Sequence, residues 1–337
     1  MKLLLTNDDG IASAFLHVLI RALRDAGHEL FVVAPKNEQS WIGAAKSRHR
    51  PVRSERAGRD FGCPAWTVDG TPADCVNIAL AHLLPAAPDA VVSGINIGYN
   101  ASLGFILASG TIGGAWEGAA HGLPGIALSQ HLAPDVFEQL RRAQKHAATG
   151  DTSTTGNTGT TGNTGNTGTG SDTAGNTTAG NTTAGNTVNG SNTIATGNTT
   201  AAAAATASDT TTDAPTVAAA PPLTDEVSAT LAATARHAAA LIPELARATP
   251  PRAFIVHNLN FPYPCHDHSE LRRTVPARVL VTRLFAPQPP GADGAHHFLY
   301  RPGEDITPPG SPPTDRAAVE AGFISHTVLD YTQIGRL

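Results

Sequence analysis

Short apolar runs and helix-spaced apolar positions alternate through the first 130 residues. "KLLLT" (2–6), "ELFVVAP" (29–35), "PDAVVSG" (88–94) and "PGIALS" (124–129) are near-continuous apolar runs of strand length. A strand covered on both faces reads this way, whereas a half-solvated strand alternates apolar with polar. Between the first two runs, "SAFLHVLIRALRDAGHE" sets Phe15, Leu16, Leu19, Ile20 and Leu23 at helical spacing, with Gly27 where a helix would end. "GTPADCVNIALAHLLP" carries a helix start, with Thr71 as N-cap, Pro72 at the first helical position and Asp74 in the first turn. "SGTIGGAWEGAAHG" reads as a further helix, on which Trp116 is core packing and Glu117 a solvated charge. Buried strands separated by helices predict an α/β fold, a Rossmann-like, mostly parallel sheet with helices on both faces. Ligands of such sheets bind outside the carboxyl ends of the strands.

The pattern breaks at residues 149–222. "TTGNTGTTGNTGNTGTG" and "TAGNTTAGNTTAGNT" repeat Thr, Gly, Asn and Ala without the periodic large apolar residue that a solenoid would bury. The segment is predicted to be a disordered, low-complexity insertion. Beyond it, "LTDEVSATLAATARHAAALIPELARA" reads as an Ala/Leu-rich helix and "RAFIVHNLNFP" as a strand. "VPARVLVTRLF" and "HHFLYRP" read as the two strands of a C-terminal β-hairpin arm. The downstream piece is too thin in apolar residues to form its own core. Residues 1–148 and 223–337 are therefore expected to make a single α/β domain, interrupted by 149–222.

Composition narrows the class. Across 337 residues a 41% hydrophobic fraction supplies a substantial core. The formal charge is −5, and the insertion alone holds four Asp with no Lys or Arg. The remainder is close to neutral, without the basic footprint that long nucleic acid requires. Three cysteines, Cys63, Cys75 and Cys265, form neither an even set nor a CxxC pair, as expected of reduced thiols in the cytoplasm. The apolar run of "MKLLL" stops at Thr6, short of the ~7–15 residues of a signal-peptide core. No stretch approaches the ~18 apolar residues of a membrane span. The expectation is a soluble, cytoplasmic protein with no membrane partner.

Four predicted strand ends carry short polar residues: Asp8-Asp9, "NEQSWIG" with Ser40, "SGINIGYN" with Asn96, and "SGTIGG" opening a helix. In a parallel sheet these ends share one edge. Two adjacent carboxylates at the end of a buried strand repel each other, and a divalent cation relieves that repulsion. Asp8, Asp9, Ser40 and Asn96 offer only hard oxygen donors, which favour Mg²⁺ or Mn²⁺ over zinc, one ion per subunit. Ser109, Gly110 and Thr111 supply hydroxyls and backbone N–H groups at a helix start, where an anion is favoured. Cation plus anion cradle points to phosphomonoester hydrolysis by a metal-activated water. Asp8 and Asp9 are the catalytic candidates, and which of them takes the water proton stays open. "CHDHSE" (265–270) has metal-like letters, but it lies in a Pro-flanked loop without a partner pair. The first strand leads into "TNDDGIAS" rather than GxGxxG, which argues against a dinucleotide dehydrogenase.

"LLTNDDGI", "VVAPKNEQSWIG", "VDGTPADCVNIAL", "PDAVVSGINIGYN" and "SGTIGGAWEGA", in this order, resemble the SurE family of survival-protein 5′/3′-nucleotidases. The resemblance spans residues 1–130 and resumes more weakly at "NLNFP" and "PTDRAAVEAGFISHTVL". It implies a Rossmann-like, metal-dependent phosphatase of nucleoside monophosphates, with short polyphosphate as a further substrate of some members. It maps the family's metal ligands onto Asp8, Asp9, Ser40 and Asn96, and its phosphate-binding residues onto Ser109, Gly110 and Thr111. It also implies a homodimer or homotetramer built partly through a C-terminal hairpin, here 275–300. The chain departs from the pattern in three places. "ASAFL" stands where many members have Pro-Gly, the long insertion is foreign, and the common "RNQSG" loop reads "NEQSW". Trp41 is thus either a packing variant, a face on which a base stacks, or a side chain that narrows the pocket. Two other functions compete. A receiver-like, Mg-binding phosphoacceptor domain needs an Asp where "PDAVVSGIN" has Ser93-Gly94. A non-catalytic nucleotide-binding module would bind without turnover.

Overall fold

The "KLLLT" run forms β1 (Lys2–Thr6), the strand that the rest of the sheet flanks. The computed structural model describes residues 1–140, 223–280, 285–289, 294–300 and 303–334. The disorder expected at 149–222 falls outside the described residues. β2 (Glu29–Pro35), β3 (Ser54–Arg56), β4 (Ala65–Val68), β5 (Ala90–Ile97), β6 (Gly125–Gln130), β7 (Ile255–Phe261), β8 (Leu271–Thr274) and β13 (Ile324–Asp330) complete a nine-stranded sheet. Its order is β3-β4-β2-β1-β5-β6-β7-β13-β8. The six strands from β4 to β7 are mutually parallel. β3 pairs antiparallel with β4, β13 antiparallel with β7, and β8 parallel with β13. The fold is α/β, mostly parallel and Rossmann-like, as the apolar runs predict.

The three leucines of β1 show why the run is continuous. Leu3 and Leu5 enter one core with Phe15, Leu19 and Leu23 of α1 (Ala14–Asp25), joined by Val227 and Leu231 of α5 (Asp225–Ala248). Leu4 faces the opposite side and packs with Cys75 and Val76 of α2 (Pro72–Ile78). Successive strand side chains alternate faces, so a strand sandwiched between helix layers must be apolar at every position. Each such leucine contributes about 1.5–3 kcal/mol by leaving water.

α2 starts as its sequence predicts. Thr71 Oγ1 accepts the Asp74 N–H at 3.1 Å, and the Asp74 carboxylate accepts the Thr71 N–H at 3.0 Å, a reciprocal capping box. α4 (Gly110–Ala120) lies beside it. Glu117 on α4 corrects the expectation of a solvated charge. It is 3% exposed, paired with Lys46 at 2.7 Å and accepting the Asn77 side-chain amide at 2.6 Å. Lys46 is thereby committed to a structural ion pair rather than to steering an anion.

β7 follows the insertion yet pairs along six residues with β6, which precedes it. The sheet therefore runs through both flanking segments. Beyond it, β9 (Val279–Leu280) pairs with β12 (Glu304–Asp305) and β10 (Phe285–Pro287) with β11 (Phe298–Tyr300), all antiparallel, which makes the expected arm. Phe285, Phe298 and Leu299 stand exposed on it. Cys63, Cys75 and Cys265 are all free thiols. Among the described residues no helix is long and apolar enough to cross a membrane.

Candidate active site

β1 ends at Thr6 and the chain turns at once, with the Asn7 side-chain amide donating to the Gly10 carbonyl at 2.9 Å. This turn delivers Asp8 and Asp9 to the carboxyl edge of the sheet. The loop after β2 folds onto them, as the Gln39 N–H donates to the Asp8 carbonyl at 2.7 Å. Asn96 arrives at the end of β5, and Ser109 caps α4, its Oγ accepting the Ile112 N–H at 3.1 Å. Asp8, Asp9, Ser40, Asn96 and Ser109 thus line one cleft of about 110 Å³. The structure brings together the predicted strand ends.

Each donor is held by a neighbour. One oxygen of Asp9 accepts the Ile97 N–H at 3.0 Å. The Asn96 amide donates to the Gly98 carbonyl at 2.7 Å, leaving its oxygen as the acceptor end. The Ser40 hydroxyl donates to Glu38 at 2.6 Å. Asp8 is 4% exposed, and the Thr111 hydroxyl donates to it at 2.6 Å. Burial pushes the Asp8 carboxyl up to about 6; hydrogen bonds from Thr111 and the backbone oppose this, while the nearby Glu38 charge adds to it. Three carboxylates and no Lys or Arg appear among the described residues lining the cleft. An all-oxygen donor set in a negative cleft suits a hard divalent cation.

Thr111 sits differently from the expectation. It is fully buried and spends its hydroxyl on Asp8, behind the cleft wall rather than in it. Gly110 lies under the carboxylate. A Cβ there would stand 2.8 Å from Asp8 Cβ and 2.9 Å from the Gln39 carbonyl oxygen. Gly110→Ala is accordingly expected to push Asp8 out of place and to lower by about a hundredfold any kcat/KM that depends on that carboxylate, the scale of a 1 Å misplacement. Steady-state kinetics alongside a thermal melt check this, because general unfolding would show first in the melt.

Two groups at the cleft escape sequence reasoning. Glu38 joins the cleft next to Ser40, and only its place two residues away signals it. Asn100, which lines the cleft, is a hub beside Thr111: its side-chain amide donates to Thr111 Oγ1 at 3.2 Å and to Ser129 Oγ at 2.9 Å. Its backbone is fixed in turn from β7. The Asn100 N–H donates to Asn260 Oδ1 at 2.7 Å, and the Asn258 amide donates to the Asn100 carbonyl at 2.8 Å. Two amides spaced two apart in an otherwise apolar strand were the available signal.

Residues 3–166 match the family model described as survival protein SurE. A 5′-nucleotidase SurE of Desulforudis audaxviator is 47% identical over 130 residues, which cover 38% of this chain and 50% of the relative. A protein of the same name from Nostoc sp. is 47% identical over 149 residues, or 44% of this chain and 55% of the relative. The chain thus spans about half the length of the curated relatives that it matches. The crystal structure of the SurE protein from Aquifex aeolicus superposes with a TM-score of 0.58 at 20% identity, covering 98% of this chain and 93% of that one, which shows the shared fold. Ordered motifs, sheet order and the matched residues agree in likening this chain to the SurE family.

Proposed function

We propose that this chain hydrolyses nucleoside monophosphates to nucleoside and phosphate, using one Mg²⁺ or Mn²⁺ held by Asp8, Asp9, Ser40 and Asn96. One observation carries the reading: two carboxylates at a strand end share a cleft with a hydroxyl, an amide oxygen and the capped N-terminus of α4. The relatives named 5′-nucleotidase supply the substrate class. When bound, the cation neutralises the carboxylates, polarises the phosphate and lowers the pKa of a water. The chain's own groups do the rest. Ser109 Oγ accepts from Ile112, and its O–H is the group that donates to a phosphate oxygen in this reading. The start of α4 adds its partial positive charge to the same anion. Asp8 is buried and locked by Thr111, which suits a ligand. Asp9 is only half-buried, which suits the group that takes the proton of the attacking water.

The same reading extends to the whole chain. Residues 1–148 and 223–337 form one domain interrupted by 149–222, supported by the β6–β7 pairing across the insertion. Phe285, Phe298 and Leu299 on the arm pack against a second copy, giving a homodimer or homotetramer in the cytoplasm; their exposure supports this, since water-facing aromatic clusters are costly unless covered. The decisive assay is phosphate release from a panel of nucleoside 5′- and 3′-monophosphates with Mg²⁺, Mn²⁺ or EDTA. Release no faster with metal than with EDTA, on every nucleotide, would end this reading.

A further inference from the structure

The cleft has a second wall that the phosphate chemistry does not use. Besides the carboxylates it is lined by Trp41, Tyr99 and Phe105. Trp41 and Phe105 lie 5.3 Å apart with their rings tilted at 50°, and Tyr99 stacks nearly parallel to Phe105 at 6.4 Å. None of the three is buried: Trp41 is 57% exposed, and Phe105 and Tyr99 are half-buried. Packing alone leaves this placement unexplained, because a core tryptophan would be covered.

The backbone also holds Trp41 in place at a cost. Its φ is +62°, a left-handed conformation that bulky residues avoid and glycine adopts readily. The loop is pinned on both sides of it, by the Gln39 N–H on the Asp8 carbonyl at 2.7 Å and by the Gly43 N–H on the Ala108 carbonyl at 2.9 Å. The indole is therefore carried by the same loop that carries Ser40, one residue from a metal-ligand candidate. A strained, solvent-facing aromatic beside a reactive centre is a feature that packing stability does not select.

We propose that Trp41 and Phe105, backed by Tyr99, grip the base of the substrate, making this cleft selective for phosphomonoesters that carry a purine over those with a bare sugar. This rests on the phosphatase reading and deepens it, since it assigns the leaving group's recognition. An aromatic plane stacks any base and gains with ring area, so purines outrank pyrimidines and both outrank ribose 5-phosphate. Stacking on one aromatic side chain is worth about a tenfold change or more in binding, with no demand on hydrogen-bond pattern.

The test compares the full-length wild type with Trp41→Gly, which suits the local backbone, and Trp41→Phe, which keeps a ring. With Mn²⁺ present, kcat/KM is measured for AMP and for ribose 5-phosphate, and quenching of tryptophan fluorescence is titrated with each. Trp41→Gly is expected to lower the AMP to ribose 5-phosphate ratio about tenfold, through KM, with Trp41→Phe retaining most of it. AMP is expected to quench the wild type and not Trp41→Gly. An unchanged ratio in Trp41→Gly, or equal quenching by ribose 5-phosphate, overturns the proposal. If the wild type turns over neither compound, the phosphatase reading fails instead, and the quenching titration alone decides whether the wall binds a base.

Discussion

Asp8→Asn is expected to lower metal-dependent phosphate release by about a thousandfold or more while raising the melting temperature of the chelator-treated protein. The two effects have one cause. A carboxylate buried beside Thr111, with Glu38 near, is destabilised in its charged form, as the rise of its pKa from 3.8 to about 6 records. At neutral pH that shift corresponds to about 3 kcal/mol held as unfavourable charge. Asparagine keeps an oxygen for the Thr111 hydroxyl and removes the charge, so a gain of roughly 4–8 °C is expected for a domain of this size. The same change deletes half of the carboxylate pair, and losing a Lewis acid worth several kcal/mol accounts for the thousandfold. Wild type should regain stability on adding Mn²⁺, by about 2.7 kcal/mol at a hundredfold excess over Kd. Asp8→Asn should show almost none of that shift. A variant that still melts later with Mn²⁺ removes Asp8 from the ligand set, whatever happens to activity.

The stability–activity opposition at Asp8 also explains how much the sequence disclosed. β1, β2, β5 and β6 were legible because each is covered on both faces, so that their polar residues gather toward the strand ends and the apolar run stays unbroken. The candidate site was legible for the opposite reason: Asp8 and Asp9 follow closely on an apolar strand where nothing structural asks for charge. β13 was not legible. It buries Ser325, His326 and Thr327, whose polar atoms are satisfied across strands, Thr274 Oγ1 lying 2.8 Å from both Ser325 Oγ and Thr327 Oγ1. A strand that swaps apolar burial for hydrogen bonds to other strands loses its periodic signature. β3 and β4 were too short to register. Thr111 was a candidate in the sequence, but its partner was not legible, because facing Asp8 depends on the packing of α4 against β5 and β6.

A second result concerns acid. The wild type is expected to lose on the order of 3 kcal/mol of stability between pH 6.5 and pH 4 through His257 and His326. Their hydrogen bonds form a directed chain. Arg273 can only donate, so His326 Nδ1 accepts from it at 3.4 Å and carries its proton on Nε2. That proton is given to His257 Nδ1 at 2.9 Å, which leaves His257 protonated on Nε2 and donating to Thr249 Oγ1 at 2.7 Å. The Thr249 hydroxyl then donates to the Leu245 carbonyl at 2.7 Å, so the chain ties β8, β13 and β7 to the end of α5. The Arg273–His326 and His326–His257 links each require a neutral acceptor imidazole. A further proton on either ring would set two N–H groups, or an N–H and a guanidinium, against each other.

Burial pushes both histidines down to about 4, with the Arg273 charge adding to it, and the His257 partner adding further for His326. A depressed folded pKa means that the unfolded chain binds protons first. Stability is therefore whole above pH 6.5, falls as pH drops below it, and stops falling once the folded histidines protonate near pH 4. Because the rings share one hydrogen bond, they titrate as a pair and the loss is less than the sum of two independent shifts. Asp8 and Asp315, whose carboxyls are raised by burial, gain stability in the same acid range and partly mask the effect. Comparison with His326→Gln removes that masking, since both carboxylates remain in the variant. Denaturant unfolding of metal-stripped protein at pH 7 and pH 4.5 should show the wild type losing more than His326→Gln over the interval, by less than the full ~3 kcal/mol because burial still depresses His257 in the variant. Equal losses in the two proteins would place the acid sensitivity elsewhere and reduce the histidine chain to ordinary packing.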